Sequence, residues 1–245
     1  MNIHGRPAMQ SKTAWGEFAG GARAIAPLIV ALIPIGMVYG AVAATKGLSP
    51  LETTLMSLLV FAGGAQFVAL DLWTHPASWV SLGLAALLVN IRHLLMSASI
   101  GLHMQQFSGP KRYVAMLFLA DEIWAVSEFR ARIATLTPVW YCGVVVPFYA
   151  AWVLSGLAGA LLGAFLGDPA VVGLDFAFPA VFIVLVAGFW KGRETGFVLL
   201  ASAAAAYVVH WLLPGVWYVA AGAVAGLVVA GLMSGDDEDD GEAAR

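Results

Sequence analysis

The sequence predicts an all-α fold: a polytopic membrane helix bundle of seven or eight transmembrane helices, some of them broken near mid-membrane. Three observations carry that expectation. The 245 residues are 61% hydrophobic and 11% charged, with a mean hydropathy of +0.86, where a soluble domain has about a quarter of its residues charged. Apolar stretches of about 17 to 25 residues, each able to cross a hydrocarbon core of roughly 30 Å as a helix, recur between Ile25 and Met233. They are continuously apolar, whereas barrel strands alternate over about ten residues.

The chain divides into three parts. Residues 1–23 form an N-terminal cytoplasmic segment carrying Arg6, Lys12 and Arg23; the apolar run after it is too long for a signal-peptide core, so the segment is expected to stay attached. Residues 24–233 form the transmembrane domain, with no gap long enough for a soluble domain. Residues 234–245 hold six acids against Arg245, so the negative sign of the formal net charge of -3 comes from this tail, and the rest of the chain, residues 1–233, is net positive. Such a segment is expected to be disordered and solvated.

Within the membrane part the expected spans are 25–45, 51–73, 79–102, 113–129, 138–166, 176–190, 196–213 and 216–233. Pro27 and Pro34 kink the first. Trp73, Trp79, Trp190 and Trp217 fall near span ends, as an interfacial aromatic belt requires. With eight spans and the N-terminus inside, the cytoplasmic segments collect Arg6, Lys12, Arg23, Arg130, Arg132, Lys191 and Arg193, against Lys46, Lys111 and Arg112 outside. The excess of basic residues favours both ends inside. The stretch 113–129 resists this count, being short and holding Asp121 and Glu122, so a tilted, broken or re-entrant segment and a total of seven stay open. The last span has Gly222, Gly226 and Ala230 at intervals of four, a close-packing face. Pro27 precedes Gly36 by the interval that separates Pro179 from Gly188, an echo in keeping with an inverted repeat or with chance.

Chemistry concentrates in three places. The first is Asn90-Ile91-Arg92-His93, inside an otherwise apolar span. An arginine near the middle of a bilayer costs about 2.5 to 3.5 kcal/mol and persists only where it faces a partner or a wet interior. Asn90, His93 and Ser97 share one helical stripe, while Arg92, Met96, Ser99 and His103 share its neighbour. Arg92 suits an anionic group such as a substrate carboxylate; a salt bridge to Asp121 or Glu122 that locks helices together is the alternative. The second place is Asp121-Glu122. A carboxylate removed from water favours its neutral form, which suits reversible proton uptake, unless the segment is interfacial and both acids are merely solvated. The third is Phe61-Ala62-Gly63-Gly64-Ala65-Gln66-Phe67. Gly63 and Gly64 weaken a helix at membrane depth, where unwound backbone is tolerated if it lines a cavity, and Gln66 adds a donor and an acceptor; the glycines serve equally as packing contacts. His210 reads as an interfacial residue.

Several classes are excluded or disfavoured. Cys142 is the only cysteine, so an internal disulfide or a cysteine-based metal site is impossible. No Gly-x-x-x-x-Gly-Lys-Ser/Thr loop occurs, which leaves an ion gradient, a substrate gradient or a partner as the energy source. The nearest approach to a serine-protease elbow, Ser97-Ala98-Ser99-Ile100-Gly101, lacks its first glycine. An enzyme is not expected, nor a cofactor, a metal or a nucleic-acid partner.

Read together, five stretches resemble the AzlC family, the large subunits of branched-chain amino-acid exporters. They are Pro34-Ile35-Gly36-Met37-Val38-Tyr39-Gly40, Gly47-Leu48-Ser49-Pro50, the run from Met56 to Phe67, the run from Leu88 to Met96, and Asp121-Glu122. Order and spacing agree across roughly residues 20 to 130; Ile35, Gly64 and Ile91 depart from the usual Phe, Ala and Leu without changing the polar set. The resemblance implies a multi-pass exporter in the cell inner (cytoplasmic) membrane for valine, leucine, isoleucine and in some relatives methionine, working with a small AzlD-like membrane subunit. On that expectation Arg92, Asn90, His93, Gln66, Gly63 and Gly64 bind the amino-acid substrate, and Asp121 or Glu122 couples transport to protons. A non-transporting assembly subunit of a two-component transporter is the alternative.

Overall fold

A computed structural model of the chain describes residues 13–74, 76–165, 183, 187, 190, 192–213 and 217–243. Among these every regular element is an α-helix. They are α1 (Ala14–Thr45), α2 (Pro50–Leu59), α3 (Gly63–Asp71), α4 (Trp79–Asn90), α5 (Arg92–Gly101), α6 (Pro110–Leu117), α7 (Asp121–Ile133), α8 (Pro138–Phe165), α9 (Arg193–Leu212) and α10 (Trp217–Ala243). The expected 176–190 span, with Pro179 and Gly188, lies outside the described residues apart from Ile183, Ala187 and Trp190. The helical backbone of α10 continues to Ala243, through part of the acidic segment expected to be a disordered tail.

The corner between α1 and α2 shows how the sequence sets its own breaks. Gly47 takes a φ of 84°, a left-handed conformation that favours glycine. Ser49 then caps α2 in a reciprocal box with Glu52: the Glu52 amide donates to Ser49 Oγ at 3.2 Å, and the Ser49 amide donates to the Glu52 carboxylate at 2.8 Å. Pro50 fills the first helical turn, where a missing N–H costs nothing. One tetrapeptide stops a helix and starts the next.

The bundle is organised around α1 and α8, which run parallel in close contact. A Cβ at Gly21 would overlap the Trp140 carbonyl, one at Gly40 the Gly156 carbonyl, and one at Gly159 the Met37 carbonyl. Small residues let two backbones approach this closely, which is how membrane helices gain packing energy without a hydrophobic drive. Tyr39, Phe67, Phe148, Leu119 and Ile123 are fully or almost fully buried around this pair. Apolar side chains on α9 and α10, Leu200, Trp211, Leu227 and Leu232 among them, face outward; in a bilayer that surface meets lipid.

Two stretches fold back: 51–73, expected to cross, and 113–129, for which a re-entrant segment is one of the readings the sequence leaves open. The Tyr39 hydroxyl lies 3.1 Å from Gln66 Nε2 on α3 and 3.4 Å from the Thr53 carbonyl on α2. If α3 continued in the direction of α2, those two residues would be roughly 20 Å apart at 1.5 Å per residue. Hence α2 and α3 form a re-entrant hairpin. Likewise Arg92 meets Asp121 at 2.7 Å, and seven residues further along both helices Ser99 donates to Glu128. That register makes α5 and α7 parallel. Meanwhile α6 rises beside α8, with the Tyr141 hydroxyl donating to the Ala115 carbonyl at 2.9 Å and the Phe118 and Tyr149 rings 5.4 Å apart. So α6 and α7 are a second hairpin, entering from the opposite end. Its return is fastened by Glu17, which accepts from Thr137 Oγ1 at 3.0 Å and from Arg130 at 3.4 Å.

Among the described residues the helices long and apolar enough to cross a membrane are Ala14–Thr45, Trp79–Gly101, Pro138–Gly163 and Arg193–Leu212, with a shorter apolar helix at Trp217–Met233. The second of these is α4 and α5 joined at Ile91. Folding back also relocates charge. Lys111 and Arg112, expected outside, share one end of the bundle with Arg130 and Arg132, while Lys46 lies at the other. The hairpins therefore remove the conflict with the positive-inside rule.

Candidate functional site

Three helix breaks, at residues 60–62, at Ile91 and at residues 118–120, converge on one cavity of about 140 Å³. A water needs about 10–15 Å³ by this measure, so the space suits a small solute. One edge is charged, with Arg92, His93, Asp121 and Glu122; the facing wall is apolar, with Leu32, Ile35, Phe67, Phe148 and Trp152; Phe61, Ala62, Gly63, Gly64 and Ala120 supply exposed backbone between them. The hairpin half-helices α3 and α7 both begin here. Neither Ala62 nor Ala120 offers a side-chain cap, so the first-turn N–H groups of both half-helices present partial positive charge at the cavity.

Of the two roles left open for Arg92, the ion pair with Asp121 exists, and it borders the cavity. The side chains are 42% and 33% exposed, so the pair is not sealed away. Arg92 Nε is buried without a hydrogen-bond partner among the described residues, so the guanidinium retains bonding capacity. The adjacent glycines have specific reasons to be glycine. A Cβ at Gly64 would lie 3.0 Å from Arg92 Nη2, and one at Gly63 would lie 3.1 Å from the Trp152 ring. They make room for a guanidinium and an indole in addition to ending α2.

Gln66 and Asn90 are placed elsewhere than expected. Gln66 is completely buried and does not line the cavity. Its Oε1 accepts from Trp152 Nε1 at 2.9 Å, while its Nε2 donates to Tyr39 at 3.1 Å and to Ser57 Oγ at 3.5 Å. The amide is thus fully employed as a node joining α1, α2, α3 and α8. Asn90 also lies off the cavity lining, with Oδ1 buried and without a partner among the described residues. Sequence reasoning missed the apolar wall. Phe61 and Phe67 flank the glycine pair and were within its reach, but Leu32, Ile35, Phe148 and Trp152 come from α1 and α8, where every neighbour is apolar too.

The family model described as AzlC protein matches residues 27–166, which include every break and every residue lining the cavity. An uncharacterised membrane protein of Archaeoglobus fulgidus is 31% identical over 84% of this chain and 90% of its own length. The inner membrane protein YgaZ of Escherichia coli is 26% identical over 77% of this chain and 80% of its own. The branched-chain amino acid transport protein AzlC of Bacillus subtilis is 24% identical over 77% and 74% respectively. No solved structure matches the chain.

Proposed function

From the premise that this chain belongs to the AzlC family, we propose that it is the large subunit of a proton-coupled exporter of apolar α-amino acids. A membrane transport role is supported by the family and by the name of the Bacillus subtilis relative. The observation that carries the finer reading is the two-sided cavity, a guanidinium with spare donors opposite a wall of Leu32, Ile35, Phe148 and Trp152. An apolar zwitterion needs both halves. Its carboxylate pairs with Arg92 in a charge-assisted contact, aided by the uncapped N–H groups of α3 and α7, and its side chain packs on the wall. His93 adds a polar contact; Gln66 holds the wall in place without touching substrate.

In this reading the substrate inserts into the ion pair, its carboxylate on Arg92 and its ammonium group on the ionised Asp121 carboxylate, and a protonated Asp121 offers the ammonium group no charge. Proton and substrate then exclude one another, the condition for exchange across two faces of the membrane, because a ligand shifts an equilibrium only by its differential affinity for the two states. The basic end, with Arg23, Lys111, Arg112, Arg130 and Arg132, faces the cytoplasm, and a small second membrane subunit completes the transporter. Valine efflux from loaded cells tests this. Arg92→Ala is expected to lower the rate about tenfold or more with the protein still in the membrane, and efflux at the wild-type rate would remove Arg92 from the site.

A further inference from the structure

The site just described leaves a second polar group on the same helix pair unused. Beyond Arg92 and Asp121, the parallel register of α5 and α7 brings Ser99, His103 and Glu128 together about 10 Å further on, at 1.5 Å per residue. Ser99 Oγ donates to one Glu128 oxygen, and His103 Nε2 stands 3.7 Å from the other. The Glu128 side chain is only 12% exposed. His103 also borders a cavity of about 300 Å³ at the basic end of the bundle, lined in addition by Gln105, Gln106 and Thr135. A carboxyl group withdrawn from water in a membrane helix is costly to keep and marks function by default.

Other charged or titratable groups on elements packed against α7 are Glu17, Arg23 and Tyr39 on α1, Arg92 and His93 on α5, and Tyr141, Cys142 and Tyr149 on α8, with Lys111, Arg112 and Tyr113 on the preceding α6. Glu17 is engaged by Arg130, Arg112 by the Met104 carbonyl and Arg92 by Asp121. His103 is the titratable group that reaches Glu128. We propose that Ser99, His103 and Glu128 form a proton relay between the central cavity and the water at the basic end of the bundle, a proposal that rests on the proton-coupled reading above. A proton released by Asp121 crosses the two intervening helical turns on water and adds to the Glu128 carboxylate, which Ser99 holds in place. The Glu128 O–H then gives that proton to His103 Nε2, and the imidazolium loses its Nδ1 proton to water in the outer cavity. No electron moves; Glu128 returns to its carboxylate, and His103, left with its proton on Nε2, recovers the Nδ1–H form by exchanging protons with water of the outer cavity before the next cycle.

The test separates coupling from binding. In liposomes containing the full-length chain together with its small membrane partner, Glu128→Gln is expected to keep valine-for-valine exchange near the wild-type rate while transport driven by a pH gradient falls about tenfold or more. His103→Gln is expected to show the same split more weakly. Wild-type driven transport in Glu128→Gln overturns the relay, and so does loss of both activities in a variant that melts like wild type. Should Glu128→Gln fail to fold, His103→Gln and Ser99→Ala carry the same readings. Dicyclohexylcarbodiimide, which modifies protonated carboxyl groups in apolar surroundings, gives a readout that needs no substrate. Glu128 should be modified, and a Glu128 that is never modified overturns the relay. Modified Glu128 in a wild-type protein that moves no valine would instead sink the amino-acid reading and leave the relay standing.

Discussion

At the residue scale, the cost of a charge in lipid made Arg92 and Asp121 legible. A guanidinium in an apolar span demands a partner, and Asp121, the next acid along the chain, supplies it at 2.7 Å. The placement of Gln66 off the cavity was hidden for the complementary reason. Its partners Tyr39, Ser57 and Trp152 lie 27, 9 and 86 residues away, so nothing local to it shows that its amide is already spoken for. Two predictions belong here. Gln66→Leu strands the Trp152 indole N–H and removes a donor from Tyr39, each at about 1–3 kcal/mol, so the melting temperature of the purified protein should fall clearly. Gly64→Ala should instead preserve melting behaviour, since a flexible guanidinium end can yield, but raise the KM for valine as Arg92 is pushed aside. Gly83→Ala, where nothing lies within 4 Å of the added carbon, is the silent control.

At the element scale, caps were readable and directions were not. Gly47-Leu48-Ser49-Pro50 ends one helix and begins another by chemistry that any four adjacent residues can display. Whether α3 continues α2 or returns beside it depends on contacts to α1 and α8, and a 51–73 stretch is long enough for either. The signal for the second hairpin is Lys111-Arg112, stranded on the wrong side by an eight-crossing count; with Arg130 and Arg132 at the other end it leaves 113–129 open as re-entrant, and it is reconciled once α6 and α7 become a hairpin. The glycine seam between α1 and α8 yields a further prediction. Gly40→Ala places a carbon on the Gly156 carbonyl, and Gly159→Ala places one on the Met37 carbonyl. Neither backbone can yield without separating the helices, so each should cost at least the 1–3 kcal/mol or so typical of overpacking, seen as lost folded protein in detergent. Gly231→Ala, in open space on α10, should be neutral.

At the scale of the molecule, the hairpins decide which loops face which compartment. With Cys142→Ala as background, Thr74→Cys should react with an impermeant maleimide from outside the cell, and Ser108→Cys only after the cytoplasmic face is opened. A chain that crossed at both 51–73 and 113–129 would give the reverse pattern. The α-helical class was readable from hydropathy because lipid obliges every peptide group to be satisfied within its own segment; the path of the chain was not, because lipid is indifferent to where a segment turns round. The seam of α1 and α8 carries one last consequence. Helices locked carbonyl against glycine slide poorly over one another, so this pair is an axle whose two shafts keep a fixed separation while the hairpin tips swing around it. Tethering α1 to α8 should therefore leave turnover untouched, whereas tethering the tip of either hairpin should arrest it.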